Sequence, residues 1–202
     1  MTEIGGTTAI AVARPVGAAA YIYGASTAWM KFPVGILPSS EYTLFFVARY
    51  NGLTRGRIFM GAHKDWFSGF WEGTTGVAHH GSCFFISSSI NQHGNEWLIG
   101  TDRSNSFRSN GVDRSTKAQC DEFDRLMINS DGKKPNSDFA VQSVLVYNRK
   151  LTDADVVKVE AWLTSLQPVF TPATLQASAH VRRRHMYYID SFCHVVDRDN
   201  YT

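Results

Sequence analysis

Nine consecutive residues, Tyr42-Thr43-Leu44-Phe45-Phe46-Val47-Ala48-Arg49-Tyr50, constrain the fold more than any other stretch of the chain. Aromatic and β-branched side chains dominate them, and such residues favour the packed, pleated surface of a strand. Alternation puts apolar groups on both faces, with Arg49 the one charged exception, so this strand belongs at the centre of a sheet. Asn51-Gly52 follows, a dipeptide that tolerates positive φ, and predicts a tight turn into a returning strand, Arg57-Ile58-Phe59-Met60-Gly61. Further short strands are read at 66–71, 82–87, 96–100, 125–129 and 139–147. Turn-forming clusters divide them: Glu72-Gly73-Thr74-Thr75-Gly76, Asn91-Gln92-His93-Gly94-Asn95, Ser109-Asn110-Gly111 and Ser130-Asp131-Gly132. Many short strands separated by turns point to an all-β sandwich or barrel.

One helix is expected, late in the chain. Thr152 is placed to cap it, with Asp155 three residues on as a variant capping box, and Leu151 and Val156 occupy the positions of a hydrophobic staple. Val156, Val159, Trp162, Leu163 and Leu166 recur at helical spacing and predict one apolar face. Asp153 and Asp155 suit the positive end of the helix dipole, and Pro168 closes the element. The helix is expected to lie across the end or edge of a sheet. Residues 1–168 thus read as one sandwich and 169–202 as a C-terminal extension. The extension turns from small and polar to basic at His180-Val181-Arg182-Arg183-Arg184-His185, then apolar at Met186-Tyr187-Tyr188-Ile189. This pattern suits docking on other subunits of an assembly. Arg182, Arg183 and Arg184 would steer the contact, and Tyr187, Tyr188 and Phe192 would anchor it.

The 202 residues fit a single all-β domain. A 44% hydrophobic share, with 13% aromatic, can fill the space between two sheets, and only 19% charged residues argue against disorder. A net charge of +2 is too small to point to nucleic acid. No run approaches the ~20 apolar residues of a membrane span. The first residues carry Glu3 and lack a basic n-region and compact apolar core, so no secretory signal is expected. Cys83, Cys120 and Cys193 are odd in number and widely spaced, which makes free thiols the default reading and offers no zinc site; one bridge stays open.

The order of five segments resembles the concanavalin A-like (laminin-G-like) jelly-roll domains of bacterial, phage and large-virus surface proteins. Residues 42–52 look like the family's first long inner strand and its turn. Asp65-Trp66-Phe67-Ser68-Gly69-Phe70-Trp71-Glu72-Gly73 is similar to its tryptophan- and glycine-rich strand, and Phe107-Arg108-Ser109-Asn110-Gly111-Val112 to its asparagine-glycine strand-turn. Phe139-Ala140-Val141-Gln142-Ser143-Val144-Leu145-Val146-Tyr147-Asn148-Arg149, then Leu151-Thr152-Asp153-Ala154-Asp155, look like the closing strand and short terminal helix. The likeness covers about residues 16–167 and leaves the extension unmatched. It implies a two-sheet antiparallel jelly-roll sandwich with one short C-terminal helix. Function is looser, because one fold serves many activities.

Glycanases of this family carry an E-x-D-x-x-E strand that sets nucleophile and acid on one face. Here Glu122-Phe123-Asp124 begins the pattern, but Met127 stands in the place of the second glutamate, so no catalytic residues and no enzyme are expected. His63, His79, His80 and His93 read as solvated loop histidines, and the adjacent pair His79-His80 would point to opposite faces of a strand. Cofactors are expected to be none. Calcium alone stays open, because related domains hold it with loop carboxylates, here Asp102, Asp113, Asp131 or Asp138, although these show no ligand spacing.

The aromatic cluster is the more suggestive feature. Trp66, Trp71 and Trp97 could stack on sugar rings, with Glu72 orienting hydroxyls. Alternation puts Trp66, Ser68 and Phe70 on one face and Phe67, Gly69 and Trp71 on the other, and at least one face must be core. Two functions are therefore expected. The first is a non-catalytic structural or adhesion component of a larger assembly, a virion or similar surface particle. The alternative is a lectin-like carbohydrate-binding module.

Overall fold

The structure is a computed structural model. It describes residues 2–15, 19–37, 41–81, 83–85, 96–103, 105–115, 124–132, 134–167 and 193–196. Two sheets face each other. The seven-stranded sheet runs, in spatial order, β1 (Glu3–Gly6), β4 (Ala28–Lys31), β13 (Leu126–Ile128), β6 (Phe59–Gly61), β7 (Trp66–Trp71), β8 (Thr74–His80) and β9 (Cys83–Phe85). The eight-stranded sheet runs β12 (Val112–Asp113), β11 (Ser106–Ser109), β10 (Leu98–Arg103), β5 (Thr43–Arg55), β14 (Ser137–Tyr147), β3 (Tyr21–Gly24) and β2 (Ala11–Ala13). Its eighth strand, β15 (Cys193–Val196), pairs with β14 in parallel, and every other pairing among the described residues is antiparallel. The all-β sandwich with one short helix, expected from the sequence, is the observed fold.

The central strand of the sequence is central in space, with β10 on one side of β5 and β14 on the other. Leu44, Phe46, Ala48 and Tyr50 face the interior, where Phe46 meets Phe59 of the opposite sheet at a centroid distance of 4.4 Å. A register shift in β14 between Val141 and Ser143 lets both Val141 and Val144 turn inward. Each fully buried side chain of this size stabilises the fold by roughly 1.5–3 kcal/mol.

The expected turn at Asn51-Gly52 does not occur: β5 runs straight through it to Arg55. Long-range pairing overrides the local preference, since Asp138 accepts from Thr54 N and Arg55 lies opposite Ser137. Gly52 is needed for a different reason, because a Cβ there would fall 2.4 Å from the Asp138 carboxylate. The strand that follows, β6, belongs to the other sheet and makes no hairpin with β5. True hairpin turns sit at Glu72-Gly73 (φ 46° and 82°) and Asn110-Gly111 (φ 47° and 78°); asparagine and glycine tolerate the left-handed backbone, and Glu72 adopts it beside its glycine.

The helix α1 (Asp153–Ser165) starts as read, with Thr152 Oγ1 accepting from Asp155 N and donating to Asp155 Oδ2. Leu151 and Val156 meet in one apolar cluster with Phe45, Val47, Ile99, Leu145 and Leu163, which lays α1 on the outer face of the eight-stranded sheet. Trp162 departs from expectation: it is 51% exposed. Glu160 takes the buried place instead, accepting from Thr101 Oγ1 at 2.7 Å and from Arg108 Nε at 2.9 Å. A carboxylate there is tolerable because both partners reach it.

The interior also holds a polar knot. Asp102 Oδ1 accepts from the Tyr42 hydroxyl at 2.8 Å, and Oδ2 meets Ser68 Oγ at 2.6 Å and His80 Nε2 at 3.0 Å. All four residues are fully buried, and the His80 ring stacks on Trp66. Burial, and then the Asp102 charge, hold the Tyr42 hydroxyl well above its ordinary pKa.

Candidate functional site

The four tryptophan and glutamate positions read as glycan contacts lie in four different places. Trp66 is fully buried in the main core, so its ring offers no face to a sugar, and that expectation is corrected. Alternation allows either face of β7 to be interior, and the inward one is that of Trp66 and Phe70. Trp71 packs on Phe67 with centroids 6.2 Å apart, within the apolar cluster on the outer side of the seven-stranded sheet. Glu72 is exposed at the tip of the β7–β8 hairpin. Trp97, half-buried like Trp71, joins a cluster on the outer side of the other sheet.

That cluster was not read from the sequence. Tyr21 and Tyr23 of β3 project to the outer side of the eight-stranded sheet, since Ile22 between them points into the core. Tyr21 reaches Trp97, with ring centroids 5.3 Å apart at 70°, and Tyr23 lies 6.2 Å from Tyr21. The Arg49 guanidinium lies 5.0 Å from the Trp97 ring and 5.8 Å from that of Tyr21. Ala140 stands in register with both Tyr23 and Arg49, and its single methyl leaves the height above β14 through which the rings meet. Each of the four side chains is half-buried: held in place, with surface remaining. The available signal was the alternation Tyr21-Ile22-Tyr23-Gly24, which sets two phenols on one face.

A concave feature lies near the start of α1. Its volume is about 520 Å³, and Arg103, Asn105, Asp113, Lys150 and Asp153 contribute to its walls. These groups largely satisfy one another: Arg103 donates to Ser106 Oγ, Leu151 O and Asp153 Oδ1, and Lys150 to Asn105 Oδ1. Burial pushes the Asp113 carboxyl up, but hydrogen bonds from Ser115 and the Arg108 and Arg103 charges leave it below its ordinary value.

Ser68, His80 and Asp102 are the residue types of a hydrolytic triad, but histidine does not lie between serine and carboxylate, and all three are sealed from substrate. His79 and His80 point to opposite faces as expected, yet both are buried strand residues rather than solvated loop ones. His63 keeps an exposed ring beside Asp124. Burial raises the Asp124 carboxyl, but backbone donors of Lys64 and His63 outweigh it and set it below its ordinary value. That carboxylate therefore ties down the backbone ahead of β7. Met127 is buried among Met60, Phe67 and Val77.

The four calcium candidates are scattered. Asp102 is interior, Asp113 lines the cleft, Asp131 pairs with Lys31, and Asp138 accepts from Ser26 N and Thr54 N. No three metal-ligating side chains gather among the described residues. No helix among them is long and apolar enough to cross a membrane. Glu122, His93 and the docking residues Arg182, Arg183, Arg184, Tyr187, Tyr188 and Phe192 lie outside the described residues.

No protein-family model matches the sequence, and no curated protein matches it. Solved structures do resemble the fold. The binding domain of Paraclostridial Mosquitocidal Protein 1 superposes with a TM-score of 0.55 at 13% identity, over 80% of this chain and 48% of that one. Domain 4 of AbnA, a GH43 extracellular arabinanase from Geobacillus stearothermophilus, in complex with arabinotriose, gives 0.53 at 16% identity, over 79% of this chain and 87% of that one. The receptor binding domain of the botulinum neurotoxin C/D mosaic serotype gives 0.54 at 12%, over 80% and 46%. The chain thus spans about half the length of the toxin domains and most of the arabinanase domain. At these identities the likeness concerns the fold, and these neighbours are binding domains or, for AbnA, a domain holding an oligosaccharide.

Proposed function

We propose that this protein is a non-catalytic carbohydrate-binding module whose contact surface is the outer face formed by Tyr21, Tyr23, Arg49 and Trp97. The observation that carries this reading is a contiguous group of three half-buried rings, two of which, Tyr21 and Trp97, meet one guanidinium. Rings held by their neighbours stack on the apolar face of a sugar without losing further rotamer freedom. Phenol hydroxyls and guanidinium N–H groups at the rim can bond to sugar hydroxyls. The arabinotriose held by the AbnA domain makes arabino-oligosaccharides the first probe, and a glycan array the broader one. Full-length protein should bind at least one glycan class, and Trp97→Ala or Tyr21→Ala should weaken that binding roughly tenfold or more at temperatures where each variant stays folded. Silence across the array, or binding indifferent to both substitutions, would overturn the reading.

A second reading, a structural or adhesion component of a virion or other particle, is favoured by one observation. Part of the extension, β15, pairs with the sheet beside β14, as a fastening segment should.

A further inference from the structure

The ring planes on the outer face of the eight-stranded sheet are inclined to one another. Tyr23 and Tyr21 stand at 56° with centroids 6.2 Å apart, and Tyr21 and Trp97 at 70° with centroids 5.3 Å apart. Tyr21 and Tyr23 come from β3 and Trp97 from the residue ahead of β10, so the rings lean together over β14 and β5. From β3 to β10 is three strand steps, about 14 Å, a length of about three sugar units. A sugar stacks well only where its apolar face lies parallel to a ring. Rings inclined at 56° and 70° share no common plane, so no flat layer of sugars can lie on all three. A nearly parallel pair does exist on the outer side of the other sheet, Phe67 and Trp71 at 16°, but Phe67 is 1% exposed and adds no surface to it.

We propose that the row formed by Tyr23, Tyr21 and Trp97 selects a single, turning glycan chain, one whose successive sugar faces rotate about the chain, and rejects the flat faces of crystalline polysaccharides. The inference rests on the carbohydrate-binding reading and names its ligand class. A chain with two units per turn presents its faces in parallel planes, and so meets no more than one of the three rings face to face. A chain with three units per turn rotates each face by a third of a turn, which leaves successive planes inclined as these rings are. The steps of 6.2 Å and 5.3 Å from ring to ring are close to the length of one sugar unit. Because the rings are half-buried and held by their neighbours, a chain already turned in solution docks at little further cost in freedom, whereas a ribbon would first have to leave its lattice. The phenol hydroxyls then lie at the edges of the stacked units, where sugar hydroxyls are found.

The test offers full-length protein soluble xylan and linear arabinan as turning chains, and crystalline cellulose and chitin as flat ones. The protein should bind a soluble chain and leave the crystalline solids bare, with Trp97→Ala lowering the soluble affinity roughly tenfold. Along the oligosaccharides of the best-bound chain, affinity should climb with length up to about three units and then level off. Tyr23→Leu keeps apolar bulk on β3 but removes the ring at the far end of the row. It should lower trisaccharide affinity roughly fivefold and leave that for the shortest bound member unchanged, which also shows the fold intact. Retention on cellulose or chitin that Trp97→Ala abolishes overturns the turning-chain inference and leaves carbohydrate binding standing. Equal affinity at every length does the same, as does an equal loss at every length in Tyr23→Leu that melts with the parent protein. Silence toward soluble and crystalline glycans alike overturns the carbohydrate reading itself, and this inference with it.

Discussion

Along β5 the outward positions Phe45 and Val47 pack beneath α1, whereas Arg49, next in the same alternation, meets Tyr21 and Trp97. The same change occurs where the chain enters β10: Ile99 lies under the helix, and Trp97, just ahead of the strand, lies at its margin. The strands and the pleat are common to both halves. What differs is the cover, and the residues follow it. Beneath the helix they are mostly aliphatic or simple aromatic and sealed, with Thr101 tied to Glu160, while beyond it they are rings with polar tips and one guanidinium, all half-buried. A sheet's outer face thus keeps half-exposed rings with polar tips only where no element of the fold has covered it.

The largest expected effect lies under the helix. Leu163 is fully buried between α1 and the sheet, so Leu163→Ala should cost about 3 kcal/mol, read from the denaturation midpoint. If glycan binding survives in that variant at temperatures where it stays folded, the two halves are separable. Leu151→Ala removes the staple to Val156 and part of the same cluster, and should cost about 1–3 kcal/mol. An unchanged midpoint would show that the staple is dispensable. The smallest effect belongs to Trp162, on the solvent side of the same helix. Trp162→Gln should move stability by less than about 0.5 kcal/mol, and a loss as large as that of Leu163→Ala would return Trp162 to the apolar face.

Trp162 and Glu160 also show where the sequence stops being legible. The cap and staple of α1 were readable because Thr152, Asp155, Leu151 and Val156 interact within a turn or so of each other. Glu160 was not, because the groups that make its burial tolerable, Thr101 and Arg108, lie more than fifty residues away. Strands β7 and β14 were readable from their own composition, but alternation names two faces without saying which is inward. Alternation therefore leaves Trp66 eligible as a sugar contact although its face is the buried one, and it does not show that the faces of His79 and His80 are both covered. The turn at Asn51-Gly52 failed for the same reason as Glu160, since Asp138 and the length of β14 decide it from afar. Of the ring cluster, Trp97 could be singled out alone, because Tyr21, Arg49 and Trp97 come together only once four strands, β10, β5, β14 and β3, are paired.

The buried carboxylate of Asp102 has a consequence for how the two sheets are aligned. Apolar surfaces attract without direction, so two sheets joined by them alone can slide past each other by fractions of a residue at little loss. Asp102 belongs to one sheet, and Ser68 and His80 to the other. Hydrogen bonds of 2.6 Å and 3.0 Å between them tolerate almost no slip, and a slipped carboxylate would be buried with its acceptors unmet. The knot therefore works as a locating pin: it sets where the sheets come to rest, while the surrounding side chains set how firmly they hold. Every feature that depends on both sheets standing in one relative position, from the Phe46–Phe59 contact outward, takes its origin from that point.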